Sequence, residues 1–310
     1  MITYNGTVLK VGGSWLTTGD TPTLPPYTMR FQFTDTSYVP VSGTTSKYGT
    51  WTPVDTFNGV WDFFYENSSW LGMFKYRMEA GDVGNGTVKV IDANLQGVTS
   101  IAQLFYSDEA LTSIDSIDTS TVTNMYLAFY ACSNLQHLPD NFDTSNVYNM
   151  DNTFELCTSL VKLPNINTSN VTLMTQAFAS LRTITSFPAI DTSKVSVFRG
   201  TFGTIWNVKE FPTINTNRAY DTRYMFSGCK SLESIPTLTS TARITDARGM
   251  FSECPKVKRG ILDMYTQLST QANPPTYHSG CFTNCGVDDP EGLAQLQQIP
   301  TSWGGLMADN

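Results

Sequence analysis

The sequence predicts an α/β solenoid in which each turn contributes one short helix and one short strand, and three observations predict it. A 24- or 25-residue pattern returns seven times. Its apolar residues sit at helical spacing in the first half of each copy, and a proline punctuates the second half.

The copies open at Asn94, Asp118, Asp143, Asn167, Asp191, Asn215 and Ser240, and a phenylalanine follows each at the same offset: Phe105, Phe129, Phe154, Phe178, Phe202, Phe226 and Phe251. Between opener and Phe lie Val98, Val122, Val147, Val171, Val195, Ala219 and Ile244, then Ile101, Met125, Met150, Met174 and Phe198. Apolar residues at i, i+3 and i+7 make one helical stripe. The openers Asp118, Asp143, Asn167, Asp191 and Asn215 are expected to be N-caps, because a side-chain oxygen there accepts a bond from an orphaned N–H of the first turn.

Past the Phe come Leu111, Leu135, Leu160, Ile184, Val208, Leu232 and Val257, then a second apolar residue, then Pro139, Pro164, Pro188, Pro212 and Pro236. A proline cannot donate to a ladder, so it marks where a short strand leaves its sheet. One helix and one strand per copy is a leucine-rich-repeat unit. Each copy offers about six core side chains at roughly 1.5–3 kcal/mol, against about 1.5 kcal/mol of ordering cost for each residue. No copy folds alone, so each must stack on its neighbours.

The flanks divide the rest. Residues 1–20 are expected to form a hairpin about the Asn5-Gly6 turn signal, with Tyr4, Asn5, Gly6, Leu9 and Val11 the candidate anchor to a partner. Folding back onto the following sheet is the alternative. Residues 21–92 alternate as a small β-rich capping domain. Its Trp51, Trp61, Phe63, Tyr65 and Trp70 are either its core or a sugar-binding platform. Residues 93–257 are the array. In the C-terminal cap, 258–310, helices are expected over Ile261–Leu268 and after Asp288-Asp289-Pro290.

Composition narrows the function. Charged residues make up 15% and the net charge is −8. That balance argues against nucleic-acid or anionic-membrane partners, and no run of Lys or Arg forms a local patch. No apolar segment is long enough to span a bilayer, and the first residues do not read as a secretory signal.

No catalytic or metal-binding constellation emerges, so no enzyme and no cofactor is expected. Cys132, Cys157, Cys229, Cys254 and Cys285 each follow a Phe by three positions, a structural address that suits small buried thiols. Stacked disulfides between adjacent copies are the alternative, and Cys281 lies apart from the series. His137 and His278 lack triad partners. Asp118, Asp143 and Asp191 would stack like paired carboxylates, but Asn fills the same address in other copies and capping explains both. Asp288-Asp289 lacks the ligand count of a calcium site.

The pattern Phe-x-x-Cys-x-x-Leu-x-x-Leu-Pro-x-(Phe/Ile)-Asp-Thr-Ser-x-Val-x-x-Met resembles BspA-type leucine-rich repeats found in surface proteins of Bacteroidetes and related bacteria. Leu181 and Ile205 depart from it at the Cys address. The tail from Tyr265 through Cys285 to Trp303 is similar to endings of such proteins in tailed, crAss-like phages of gut Bacteroidetes, and Met1 to Val11 to leaders of phage structural proteins. The resemblance implies a virion protein, in the tail or as a head or tail fibre. It would be held by other virion proteins and touch a host surface glycan or protein, with homo-oligomers compatible. A decoration or spacer of the virion, or a bacterial cell-surface adhesin with an atypical export route, are the alternatives.

Overall fold

The computed structural model describes the backbone of residues 3–4, 7–8, 28–33, 43–44, 50–57, 60–65 and 88–309, with side chains at 29, 30, 32 and 88–309. Near the start, β1 (Thr3–Tyr4) pairs antiparallel with β2 (Thr7–Val8). One six-stranded sheet follows, built from β3 (Thr28–Phe33), β4 (Gly43–Thr44), β5 (Thr50–Phe57), β6 (Val60–Tyr65), β7 (Val88–Asn94) and β8 (Leu111–Ile114), in the order β4-β5-β6-β3-β7-β8. Every pairing is antiparallel except β7 with β8. The inward side chains Val88, Val90 and Ala93 of β7, with Met29 of β3, are buried. Since β8 lies within the first copy, the sheet runs directly into the array.

The α/β leucine-rich-repeat solenoid is corrected by what the copies contain. The described residues hold two α-helices, α1 (Ile261–Thr270) and α2 (Pro290–Leu296), both beyond the last copy. No copy holds a helix. Where one was expected, each chain segment makes a six-residue turn containing two residues of positive φ, four apart: Leu127 and Ala131 at 56°, Asn152 and Leu156 at 57° and 64°, Tyr224 and Gly228 at 56° and 75°. A left-handed residue breaks the run of equal dihedrals that an α-helix needs. The amides then alternate in direction. Ala128, Tyr130 and Cys132 donate three residues back, to Met125, Leu127 and Phe129, while Leu127, Phe129 and Ala131 donate sideways to Asp151, Thr153 and Glu155 of the next copy, at 3.0, 3.0 and 2.8 Å. Each non-glycine left-handed residue costs roughly 1–2 kcal/mol. Those sideways bonds, repeated from copy to copy, hold the strained turns in place.

The strand per copy is corrected as well, and the prolines supply the reason. Only the first copy contains one, β8, and there Asp115 stands at the proline address. Its N–H donates to the Val90 carbonyl at 2.9 Å, the bond that Pro139, Pro164, Pro188, Pro212 and Pro236 cannot make. In later copies the pairing shrinks to isolated parallel bridges such as Ser113 with His137 and Ser234 with Arg259.

The interior is a file of phenylalanines. Phe105, Phe129, Phe154, Phe178, Phe202, Phe226 and Phe251 are all fully buried, with ring centroids 5.2–6.0 Å apart along the file and neighbouring planes nearly parallel. Val122, Val147, Val171, Leu135, Leu160 and Leu232 surround it, equally buried. Phe187 packs edge-on against both Phe178 and Phe202, the arrangement the ring quadrupole favours. The file continues to Phe282, 5.8 Å from Phe251, although the interval there is longer because α1 intervenes. Trp303, in the 3-10 turn Thr301–Trp303, closes this end: its carbonyl accepts from Phe282 N–H at 2.9 Å and its ring stacks on His278.

Candidate functional site

The same turn that buries Phe and Met turns other side chains outward, and the period lines these up in columns. Opener side chains accept from the amide two residues on: Asp118 from Ser120, Asp143 from Ser145, Asn167 from Ser169, Asp191 from Ser193 and Asn215 from Asn217, at 2.8–3.2 Å. These are Asx turns rather than helix N-caps, since no helix follows. The threonine after each of these five openers donates to the next opener's carbonyl, as Thr144 does to Asn167 at 2.9 Å.

The copies opened by Asp191, Asn215 and Ser240 carry cations at two addresses. Lys194, Arg218 and Arg243 form one column; Arg199, Arg223 and Arg248 form the other. Between them Val197, Asp221, Asp246 and Tyr277 are joined by successive parallel bridges. Of 19 Lys and Arg, 13 fall between residues 160 and 260, against 6 of 27 Asp and Glu. The patch absent from the linear sequence is therefore assembled by stacking residues 24 or 25 positions apart.

The two columns differ in their partners. Arg223 forks onto Asp221, its Nη2 2.6 Å from Oδ2, and reaches Asp246 at 3.3 Å, while Arg248 Nη2 lies 2.7 Å from Asp246 Oδ2. Burial is the largest influence on the Asp221 carboxyl and pushes it up, but hydrogen bonds from Arg223 and the charges of Arg223 and Arg199 outweigh it and hold the group below the usual range. Arg218 and Arg243, in the other column, are exposed and have no ion-pair partner among the described residues.

Tyrosines stand among these cations. Tyr220, Tyr224 and Tyr277 are 50%, 52% and 56% exposed, and the Arg248 guanidinium lies 5.1 Å from the Tyr277 ring centre. Arg218, Tyr220, Arg243 and Thr245 line an open cleft of about 460 Å³ whose far wall is Asn273, Pro274 and Thr276. That wall belongs to the next turn of the stack, where Tyr277 N–H donates to the Thr245 carbonyl at 3.1 Å and Ala247 N–H to the Tyr277 carbonyl at 2.7 Å.

The other expected sites are placed elsewhere. Asn5, Gly6, Leu9 and Val11 of the candidate anchor lie outside the described residues, and of Tyr4 only the backbone in β1 is described. The side chains of Trp51, Trp61, Phe63, Tyr65 and Trp70 also lie outside them. All six cysteines are buried and free. Cys132, Cys157, Cys229 and Cys254 donate to the carbonyls of Phe105, Phe129, Phe202 and Phe226 in the preceding copy, at 3.0–3.2 Å. Among the described residues no cluster of three or more His, Cys, Asp or Glu could hold a metal ion, and no helix is long and apolar enough to cross a membrane.

Sequence reasoning missed the basic columns because it searched for adjacent charges. The signal was present at the repeat period, as Lys194, Arg218 and Arg243 share one offset.

No curated protein and no solved structure matches the chain. A family model does, twice, over residues 73–188 and 159–265, which together exceed half of the 310 residues. The chain belongs to the family described as "Mycoplasma protein of unknown function, DUF285".

Proposed function

We propose that this chain is a binding protein that presents the Tyr/Arg face of its stacked copies to a ligand on a cell surface. The observation that carries the reading is the exposure of Tyr220, Tyr224 and Tyr277 among Arg218, Arg243 and Arg248 on consecutive copies. Tyr and Arg dominate the energetics of recognition surfaces, where a large flat side chain contributes area at small entropic cost. The copies' interior is consumed by stacking, which leaves the outer columns for contact.

Display on a phage particle, with the array turned toward the host envelope and the N-terminal residues toward other virion proteins, is the setting supported by the resemblance of the two flanks to phage proteins, the repeats themselves resembling those of bacterial surface proteins. Purified protein would be applied to an array of bacterial surface polysaccharides, beside a Tyr220→Ala/Tyr224→Ala variant. Binding to a subset of glycans that the variant loses is expected. Retention of every signal by the variant would refute the assignment to this face. For the setting, mass spectrometry of gradient-purified particles should find the chain as a stoichiometric component, and its absence would refute display.

A further inference from the structure

We infer that the cleft between Arg218, Tyr220 and Arg243 and the segment 273–276 binds an acidic glycan, one carrying carboxylate or sulfate groups on its sugar rings. The inference rests on the binding role proposed above and specifies its ligand.

The ion pairs decide the sign of the ligand. Arg223 and Arg248 are neutralised by Asp221 and Asp246, whereas Arg218 and Arg243 face the cleft with no carboxylate beside them among the described residues. Two guanidinium groups one copy apart can each take a planar anion through paired N–H donors. Lys194 extends the column by one more copy, its Nζ donating to Asn170 Oδ1 at 2.7 Å. A ligand with charges repeated along its length would meet successive cations of the column.

Size and lining decide the class. An open cleft of about 460 Å³ can seat one or two sugar rings against its walls. The half-exposed Tyr220 ring offers an apolar face to the C–H side of a pyranose. Asn273, Thr245 and Thr276 offer amide and hydroxyl groups to ring hydroxyls.

The test measures binding of an oligogalacturonate and of dextran sulfate to the whole protein by biolayer interferometry, with neutral dextran and a single-stranded oligonucleotide alongside. At least one acidic glycan should bind, more weakly as salt rises. Arg218→Gln and Arg243→Gln should each weaken it roughly tenfold, and Arg259→Gln, at an exposed site outside the cleft, should not. Unchanged melting of each variant separates lost contact from lost fold. Equal binding of neutral dextran or of the oligonucleotide, full retention by the Arg218→Gln/Arg243→Gln double variant, or no binding of either acidic glycan would overturn the inference. If array signals survive the arginine changes but not the tyrosine changes, the binding role stands and the acidic-ligand inference fails.

Discussion

Asp108 occupies the address that in later copies holds Cys132, Cys157, Leu181, Ile205, Cys229 and Cys254. Its carboxyl is buried there. Oδ1 accepts from the amides of Ala110 and Leu111 at 3.1 and 3.2 Å, and Oδ2 has no hydrogen-bond partner. Burial raises its pKa from 3.8 to about 7, with the two amide bonds pulling the other way. Because the folded value lies above the unfolded one, the contribution to stability is fully present below about pH 4. It is lost progressively as pH rises through about 7. Each pH unit between the two values changes stability by about 1.4 kcal/mol, so the whole loss is about 4 kcal/mol. Asp108→Asn keeps the acceptor for the two amides and removes the titration. Unfolding free energies from urea titration of wild type and Asp108→Asn should nearly coincide at pH 4, with the variant ahead by about 4 kcal/mol at pH 8. Asp151 and Glu155, which burial also pushes upward, are common to both proteins and cancel in the difference. Parallel pH profiles for the two proteins would refute the reasoning.

Three further outcomes are expected. Phe154→Ala empties the file between rings 5.6 and 6.0 Å away and should cost about 3–5 kcal/mol; an unchanged thermal melt would contradict the stacked core. Gly292→Ala places a Cβ 2.0 Å from the Val257 carbonyl oxygen and 2.8 Å from Gly286, so α2 must move off its seat, and amide exchange should rise over 286–296 while copies two to five stay protected. All six thiols are buried, and burial pushes those of Cys132, Cys157, Cys229, Cys281 and Cys285 above their usual range; because the buried sites exclude a thiol reagent, it should find none of the six before unfolding and all six after it. A rapid native-state reaction would show that the copies open locally.

What the sequence disclosed and what it hid have separate physical causes. The inward addresses were legible because a fixed period forces one residue type at one place: Phe, with Val and Leu around it, returns wherever a copy must meet its neighbours. The conformation of the turn was not legible. A helix and a chain of three-residue turns both put apolar residues three and four apart, so Val122, Met125 and Phe129 fit either. The left-handed positions carry no common signature, being filled by Gln103, Leu127, Asn152, Gln176, Gly200 and Tyr224, and neighbouring copies rather than local preference impose them. The cation columns were hidden for the opposite reason, since their members adjoin only after stacking.

The prolines described above leave one side of copies two to six without a continuous ladder, and length varies on that side. The copies opened by Asp118 and Asn215 run to 25 residues, and each extra residue falls between the proline and the next opener, as the stretches Pro139–Asp143 and Pro236–Ser240 show beside Pro164–Asn167. The longest departure, the ten-residue α1, enters at the same edge, while the distance from opener to Phe does not vary in any of the seven copies. The molecule thus has a margin where spacing is rigid and a margin where it is free. Foreign segments spliced after a proline would hang from the free margin without displacing a single ring in the file, and the Tyr/Arg face, borne on the rigid margin, keeps its spacing however the other side is rewritten.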